Sequence, residues 1–260
     1  MSELEIHYVG GPTAVIGIGG LRLLTDPTFD APGEYPMGDR ALVKTTGPAL
    51  DADAVGAVDA VLLSHDQHPD NLDAAGRAYL ADVPLTLSTA SALERIGGNV
   101  TALPNWEHTE LPRPDGGTLR ITGVPAQHGP DGTEHLVGEV TGFVLSGEGL
   151  PTVYVSGDNA SLRVVRDVAE RFGPFDVAVL FAGAAQTPLL PGADLTLGSA
   201  HAAEAAGILG ARQVVPLHFE HWGHFTQDGE TLVAAFEQAG IGDRLHLLKP
   251  GARFASATSR

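Results

Sequence analysis

The stretch at residues 61–73, VLLSHDQHPDNLD, constrains this chain more than any other. Ala60, Val61, Leu62 and Leu63 form a short apolar run of strand type, and it breaks straight into Ser64, His65, Asp66, Gln67, His68, Pro69, Asp70 and Asn71. Polar side chains crowded at the mouth of a buried strand destabilise a fold unless something binds them. Pro69 works against a helix across the two histidines, so His65 and His68 are expected in a loop, with a helix N-cap near residues 70–73. Imidazoles and carboxylates this close together are the donor types of a metal site. Ordinary loop histidines and a capping Asp-Asn pair give the same local pattern, so the remainder of the chain must decide.

Other apolar runs end in the same way. Residues 121–125 lead into Gln127 and His128, residues 153–156 into Gly157 and Asp158, and residues 214–217 into His218. Singly, His128 reads as a turn residue, Asp158 as a turn or cap, and His218 as a core histidine. In α/β folds ligands gather outside the carboxyl ends of strands, and four such coincidences converge on one pocket.

The chain between these points alternates in type. A meander of strands is expected at residues 3–9, 13–18 and 21–25, followed by a Pro- and Gly-rich loop to about residue 50 that would lie over a site as a lid. Helical spacing is expected at 73–80, 89–96, 162–172, 199–209 and 232–239. Further strands are expected at 85–87, 100–103, 106–111, 119–124, 137–145, 152–155, 177–181, 214–217 and, last, 245–248. The order of strand-rich and mixed segments implies an α/β fold with two sheets face to face and helices outside, an αββα sandwich of four layers. No composition break marks a linker, so residues 1–260 are expected to form one domain.

The chain has no cysteine, which excludes disulfides and thiolate ligands and leaves His, Asp, Asn and water to hold any ion. A net charge of −17 without a basic cluster argues against nucleic-acid partners, since that affinity comes largely from Lys and Arg. No basic leader and no long apolar run are present, so a cytoplasmic protein without a membrane partner is expected, acting on a small molecule.

The set SHDQHPDNLD, His128, Ser156-Gly157-Asp158 and Pro216-Leu217-His218 resembles the metallo-β-lactamase superfamily. Leu24-Thr25-Asp26-Pro27 narrows the resemblance to the branch of ascorbate-phosphate lactonase-like hydrolases, over about residues 6–248. The resemblance implies the αββα sandwich and a centre of one or two ions, Zn²⁺ or alternatively Mn²⁺. It puts His65, His68 and His128 at one metal site, Asp70 and His218 at a second, and Asp158 between them. This chain departs from the family in having two residues, Asp66 and Gln67, between its first histidines, and Asn71 where the family has His. An amide oxygen is a poorer zinc ligand than imidazole, so with Asn71 as ligand the second site would be weak, water-completed or filled by manganese. Pro12 stands where lactonase-like relatives carry His, so the lactonase substrate does not carry over.

The expected activity is metal-dependent hydrolysis, by a metal-bound hydroxide, of a small ester, lactone, amide or phosphodiester. Asp70 would orient the attacking water and take its proton, while His221 and His224 would contact substrate or donate a proton. Asp26 would accept from a ligand imidazole. His7, His201 and His246 are expected to be structural, and His108 and His135 to lie in loops. The alternative is a non-hydrolytic metal-binding protein of the same fold, motivated by the altered ligand set.

Overall fold

Strand β1 (Leu4–Gly10) buries Leu4, Ile6 and Tyr8 and leaves Glu5 and His7 less covered, the period-two pattern of a strand against a core. In the computed structural model, which describes residues 4–256, β1 is joined by β2 (Thr13–Ile18) and β3 (Leu21–Thr25) in an antiparallel meander. Glu3, expected to open the first strand, lies outside the described residues. A two-stranded hairpin of β4 (Gly33–Met37) and β5 (Arg40–Lys44) follows, then α1 (Ala52–Val55). β6 (Ala60–Leu62), α2 (Ala74–Leu80), β7 (Thr86–Ser88), α3 (Ala90–Ile96) and β8 (Val100–Ala102) complete the first half. Here the strands run parallel to β3.

The second half contains β9 (His108–Pro112), β10 (Thr118–Pro125), α4 (Glu134–Val137), β11 (Thr141–Ser146) and β12 (Val153–Val155). After these come α5 (Leu162–Phe172), β13 (Val177–Phe181), α6 (Ser199–Ile208), β14 (Gln213–Leu217), α7 (Gly229–Gln238) and β15 (Arg253–Ser256). One sheet has the order β15-β1-β2-β3-β6-β7-β8 and the other β14-β13-β12-β11-β10-β9.

Alternation along the strands builds three cores. Ile6, Ile16, Leu23 and Leu62 of one sheet meet Ile121, Phe143, Val155, Val179 and Leu217 of the other. Their strand neighbours point outward: Tyr154, Leu180 and Val214 pack beneath α5, α6 and α7, while Val15, Leu24 and Val61 pack near α1 and α2. Each large apolar side chain fully buried contributes about 1.5–3 kcal/mol, so both faces of both sheets are stabilised, and the fold is the four-layer αββα sandwich. Among the described residues no helix is long and apolar enough to cross a membrane.

Four segments differ from the sequence expectation. Residues 26–50 are not one loop; β4 and β5 pair within them, despite Pro36, because an isolated two-stranded ribbon tolerates a missing N–H. Residues 137–145 divide into the end of α4 and β11, separated by Gly138 at φ 92°. His108 lies in β9 rather than a loop, and His135 in α4. Residues 245–248 make only one bridge, Leu245 to Val214, and after Pro250 and Gly251 the last strand is β15, paired with β1.

Candidate metal centre

β3 and β6 run in parallel, and β10, β12 and β14 run in one direction within the second sheet, so their carboxyl ends face one edge of the sandwich. At the end of β6, Ser64 is tied to Asp26: its N–H donates to Asp26 Oδ1 and its Oγ to Asp26 Oδ2, both at 2.6 Å. Asp66 turns away and receives Arg95 Nε at 3.0 Å. With two residues between them instead of the family's one, His65 and His68 still meet, Nε2 to Nδ1, at 3.0 Å. His128 Nε2 approaches the same His68 Nδ1 at 3.3 Å and lies 3.7 Å from Asp158 Oδ2. Asp158 reaches this position because Gly157 turns at φ 56°, where a Cβ would stand 2.6 Å from Thr141 O.

The proton positions follow from the partners. Ser64 Oγ–H is used by Asp26, so the 3.0 Å contact with His65 Nδ1 requires that Nδ1 donate, leaving His65 Nε2 with a lone pair. Leu195 O can only accept, so His128 Nδ1 donates to it at 2.8 Å and His128 Nε2 is likewise bare. Two lone pairs thus point at His68 Nδ1, which has one hydrogen at most. Burial, followed by the neighbouring histidines, holds His65 well below its ordinary pKa, and burial with His68 lowers His128 to about 3. His68 is lowered too, chiefly by burial. One ligand atom each from His65, His68, His128 and Asp158 falls within 4.8 Å of the others.

A second group, Asp70, Asp158 and His218, meets the same criterion and shares Asp158. His218, at φ 56° just past β14, puts Nε2 3.1 Å from Asp70 Oδ2 and Nδ1 3.2 Å from Asp158 Oδ1. His224 Nε2 also lies 3.0 Å from Asp70 Oδ2. Burial opposes the charge on Asp70, but His224 and His218 outweigh it and hold the carboxyl well below the usual range. Asp158 is pushed well above that range by burial, then by Asp70 and Asp26. Asp70 Oδ1, Asp158 Oδ2 and His218 Nδ1 are buried and find no hydrogen-bond partner among the described residues. Polar atoms left so are costly, and a cation would satisfy all three, so the donor set fits one.

Asn71 is brought to the site, but its Nδ2 bonds Asp26 Oδ2 (3.1 Å) and Asp158 Oδ1 (3.2 Å). Two carboxylate oxygens on that side call for the amide N–H₂ there, so Asn71 braces Asp158 rather than turning its oxygen toward it. Asp26, expected to accept from a ligand imidazole, reaches His65 only through Ser64, and burial raises its pKa to about 7.

A cavity of about 300 Å³ opens on the cluster, lined by His68, Asp70, His128, Asp158 and His224 on one side. His221 is not among its lining residues. Its ring packs where a Cβ on Gly10 would be, and burial with nearby Lys44 lowers its pKa to about 4, which corrects its expected substrate contact. His201, His108 and His135 are exposed, and His7, midway along β1, bonds Gly251 O. Sequence reasoning gave no role to Ser64, to the Leu195 carbonyl or to Arg40, which lines the cavity. Only Ser64, beside His65, left a trace in the sequence; a carbonyl leaves none.

The family model described as "Beta-lactamase superfamily domain" matches residues 21–219. A "UPF0173 metal-dependent hydrolase" of Pyrococcus abyssi (strain GE5 / Orsay) is 30% identical over 200 residues, covering 75% of this chain and 80% of that one. One of the same description from Thermococcus onnurineus (strain NA1) is 29% identical over 254 residues, covering 95% and 97%. Among solved structures, an isothiocyanate hydrolase from Delia radicum gut bacteria matches with a TM-score of 0.79 at 22% identity, covering 97% of this chain and 100% of that one. The last is a likeness of fold.

Proposed function

The chain belongs to the beta-lactamase superfamily and is a metal-dependent hydrolase, and from that premise we propose that it cleaves a small ester, lactone, amide or phosphodiester at a centre of one or two ions. His65, His68, His128 and Asp158 would hold the first ion, and Asp70, Asp158 and His218 the second. What carries this reading is that the bare Nε2 atoms of His65 and His128 converge with His68 and Asp158, their Nδ1 protons being used elsewhere. Three imidazoles and a carboxylate suit Zn²⁺, while the more oxygen-rich second set also accommodates Mn²⁺. We further take residues 1–260 as a single domain, working in the cytosol, without nucleic-acid or membrane partners.

When bound, such an ion lowers the pKa of a coordinated water from about 15.7 to about 7 and draws charge from a carbonyl or phosphoryl oxygen. The chain's own contribution begins at Asp70. Its carboxyl is held ionised, and Oδ1, free of protein partners, would hold the second ion or orient the attacking water by accepting its hydrogen bond. His224 bonds the other oxygen of Asp70 and lines the cavity, so it is placed to return a proton to the leaving group. Asp26, Ser64 and Asn71 keep His65 and Asp158 in register.

The test is hydrolysis of 4-nitrophenyl acetate, a γ-lactone, an anilide and bis(4-nitrophenyl) phosphate before chelation, after it, and after Zn²⁺ or Mn²⁺ is restored. Turnover of at least one class that disappears on chelation and returns with metal is expected. Turnover untouched by chelation, or none from fully metallated protein, would contradict the proposal.

A further inference from the structure

Besides the residues of the candidate metal centre, the cavity is lined by the β4–β5 hairpin through Met37, Arg40 and Leu42, and by Leu136, Leu189 and Leu195. Leu136 and Leu189 remain 42% and 44% exposed at its rim, an apolar surface that a ligand would cover. Arg40 is the one cation in this wall. Its Nη1 donates to Thr187 Oγ1 at 2.5 Å, which fastens the hairpin to the loop after β13.

Arg40 has no acid partner. Among the described residues eight other arginines lie within 4.0 Å of a carboxylate, Arg22 and Arg244 donate to backbone carbonyls and Arg171 lies over Trp106, whereas the Arg40 guanidinium is held only by Thr187. In a chain with 32 Asp and Glu against 15 Lys and Arg, this is not for want of acids. The cavity's own carboxylates are occupied, Asp70 by His218 and His224 and Asp158 by Asn71. With Nη1 on Thr187, the Nε and Nη2 edge of the guanidinium keeps two parallel donors, the geometry that matches the two oxygens of a carboxylate.

We propose that Arg40 selects the substrate: a small molecule with an apolar body, seated among Met37, Leu42, Leu136, Leu189 and Leu195, and one carboxylate held by Arg40 away from the bond that is cleaved. This rests on the hydrolase reading for the site, and it adds the substrate class. At about 300 Å³ the cavity is at the small end of ligand pockets, so the apolar body is on the scale of one aromatic ring or a short alkyl chain. The overall negative charge makes Arg40 the local feature that lets an anion in.

The experiment is calorimetric titration of the purified, metal-containing protein with 4-phenylbutyrate and with 4-phenylbutan-1-ol, which share an apolar body and differ in charge. Arg40→Gln should weaken the acid about tenfold or more and leave the alcohol unchanged, since one charge-assisted contact is lost. Arg40→Lys should fall between, and Leu189→Gln should weaken both probes. Attraction of the acid to bound metal is common to wild type and Arg40→Gln, so it cancels in the comparison. Equal binding of the acid by wild type and Arg40→Gln would overturn the proposal, as would equal weakening of acid and alcohol, or no binding of the acid by wild type. Metal content of each preparation separates the two readings: protein that carries no metal refutes the hydrolase centre, while dependence of acid binding on Arg40 is read independently of it.

Discussion

At the first donor group the surrounding protein has already dealt with the imidazole protons: His65 gives its Nδ1 proton to Ser64 and His128 gives its own to Leu195, so both Nε2 lone pairs face inward. At the second, His218 and His224 compete for one oxygen of Asp70, while Asp70 Oδ1 and His218 Nδ1 have no partner among the described residues. The same carboxylate, Asp158, serves both. The difference teaches that donor atoms alone do not set affinity. The first group is oriented before any ion arrives, whereas the second depends on an ion to satisfy it. The first should therefore fill at lower metal concentration.

The strongest way to break this contrast is to remove what the groups share. Asp158→Asn is expected to weaken metal binding at both groups by more than about a hundredfold, beyond the range of an outer partner, and dialysis equilibrium against Zn²⁺ measures it. An ion kept at wild-type affinity would mean that Asp158 is not shared. Ser64→Ala acts on the first group only. It frees the tautomer of His65 and should cost about ten- to hundredfold in affinity for the tighter ion while the weaker one is unmoved. Loss of both ions would show the groups to be one unit. The smallest effect on metal is expected from His224→Gln: full occupancy of the first group, at most partial loss at the second, and a lower kcat with KM little changed, because His224 acts on Asp70. A fall in total metal below one ion per chain would contradict its role as a positioning and proton-handling residue.

Much of the fold was legible because its inner strands are short, unbroken apolar runs, buried on both faces between the other sheet and the helices. Val153, Tyr154 and Val155, or Val177 to Phe181, face opposite cores residue by residue, and helices such as α5 have both a periodic face and a capping Ser161. The hairpin β4–β5 was hidden because Gly33, Pro36 and Gly38 read as loop, and its strands are only partly buried, so no apolar period betrays them. β15 was missed since Arg253 to Ser256 is short and follows Pro250-Gly251. The residues gathered at the site were visible as His and Asp after apolar runs. What orients them was less so: Asn71 was expected to offer its oxygen, and its Nδ2 proves to brace Asp26 and Asp158 while its Oδ1 stays buried without a partner among the described residues. His221 and His224 look alike in sequence, and only the left-handed turn at His221 (φ 76°) separates a ring packed on Gly10 from one facing the cavity.

A shared ion held by imidazoles from distant parts of the chain is checked by elemental analysis of wild type, His65→Ala, His128→Ala and His201→Ala. Wild type and His201→Ala should carry the same one or two ions per chain, and the other two variants should lose most of the metal at the first group. Equal metal in all four proteins would contradict it.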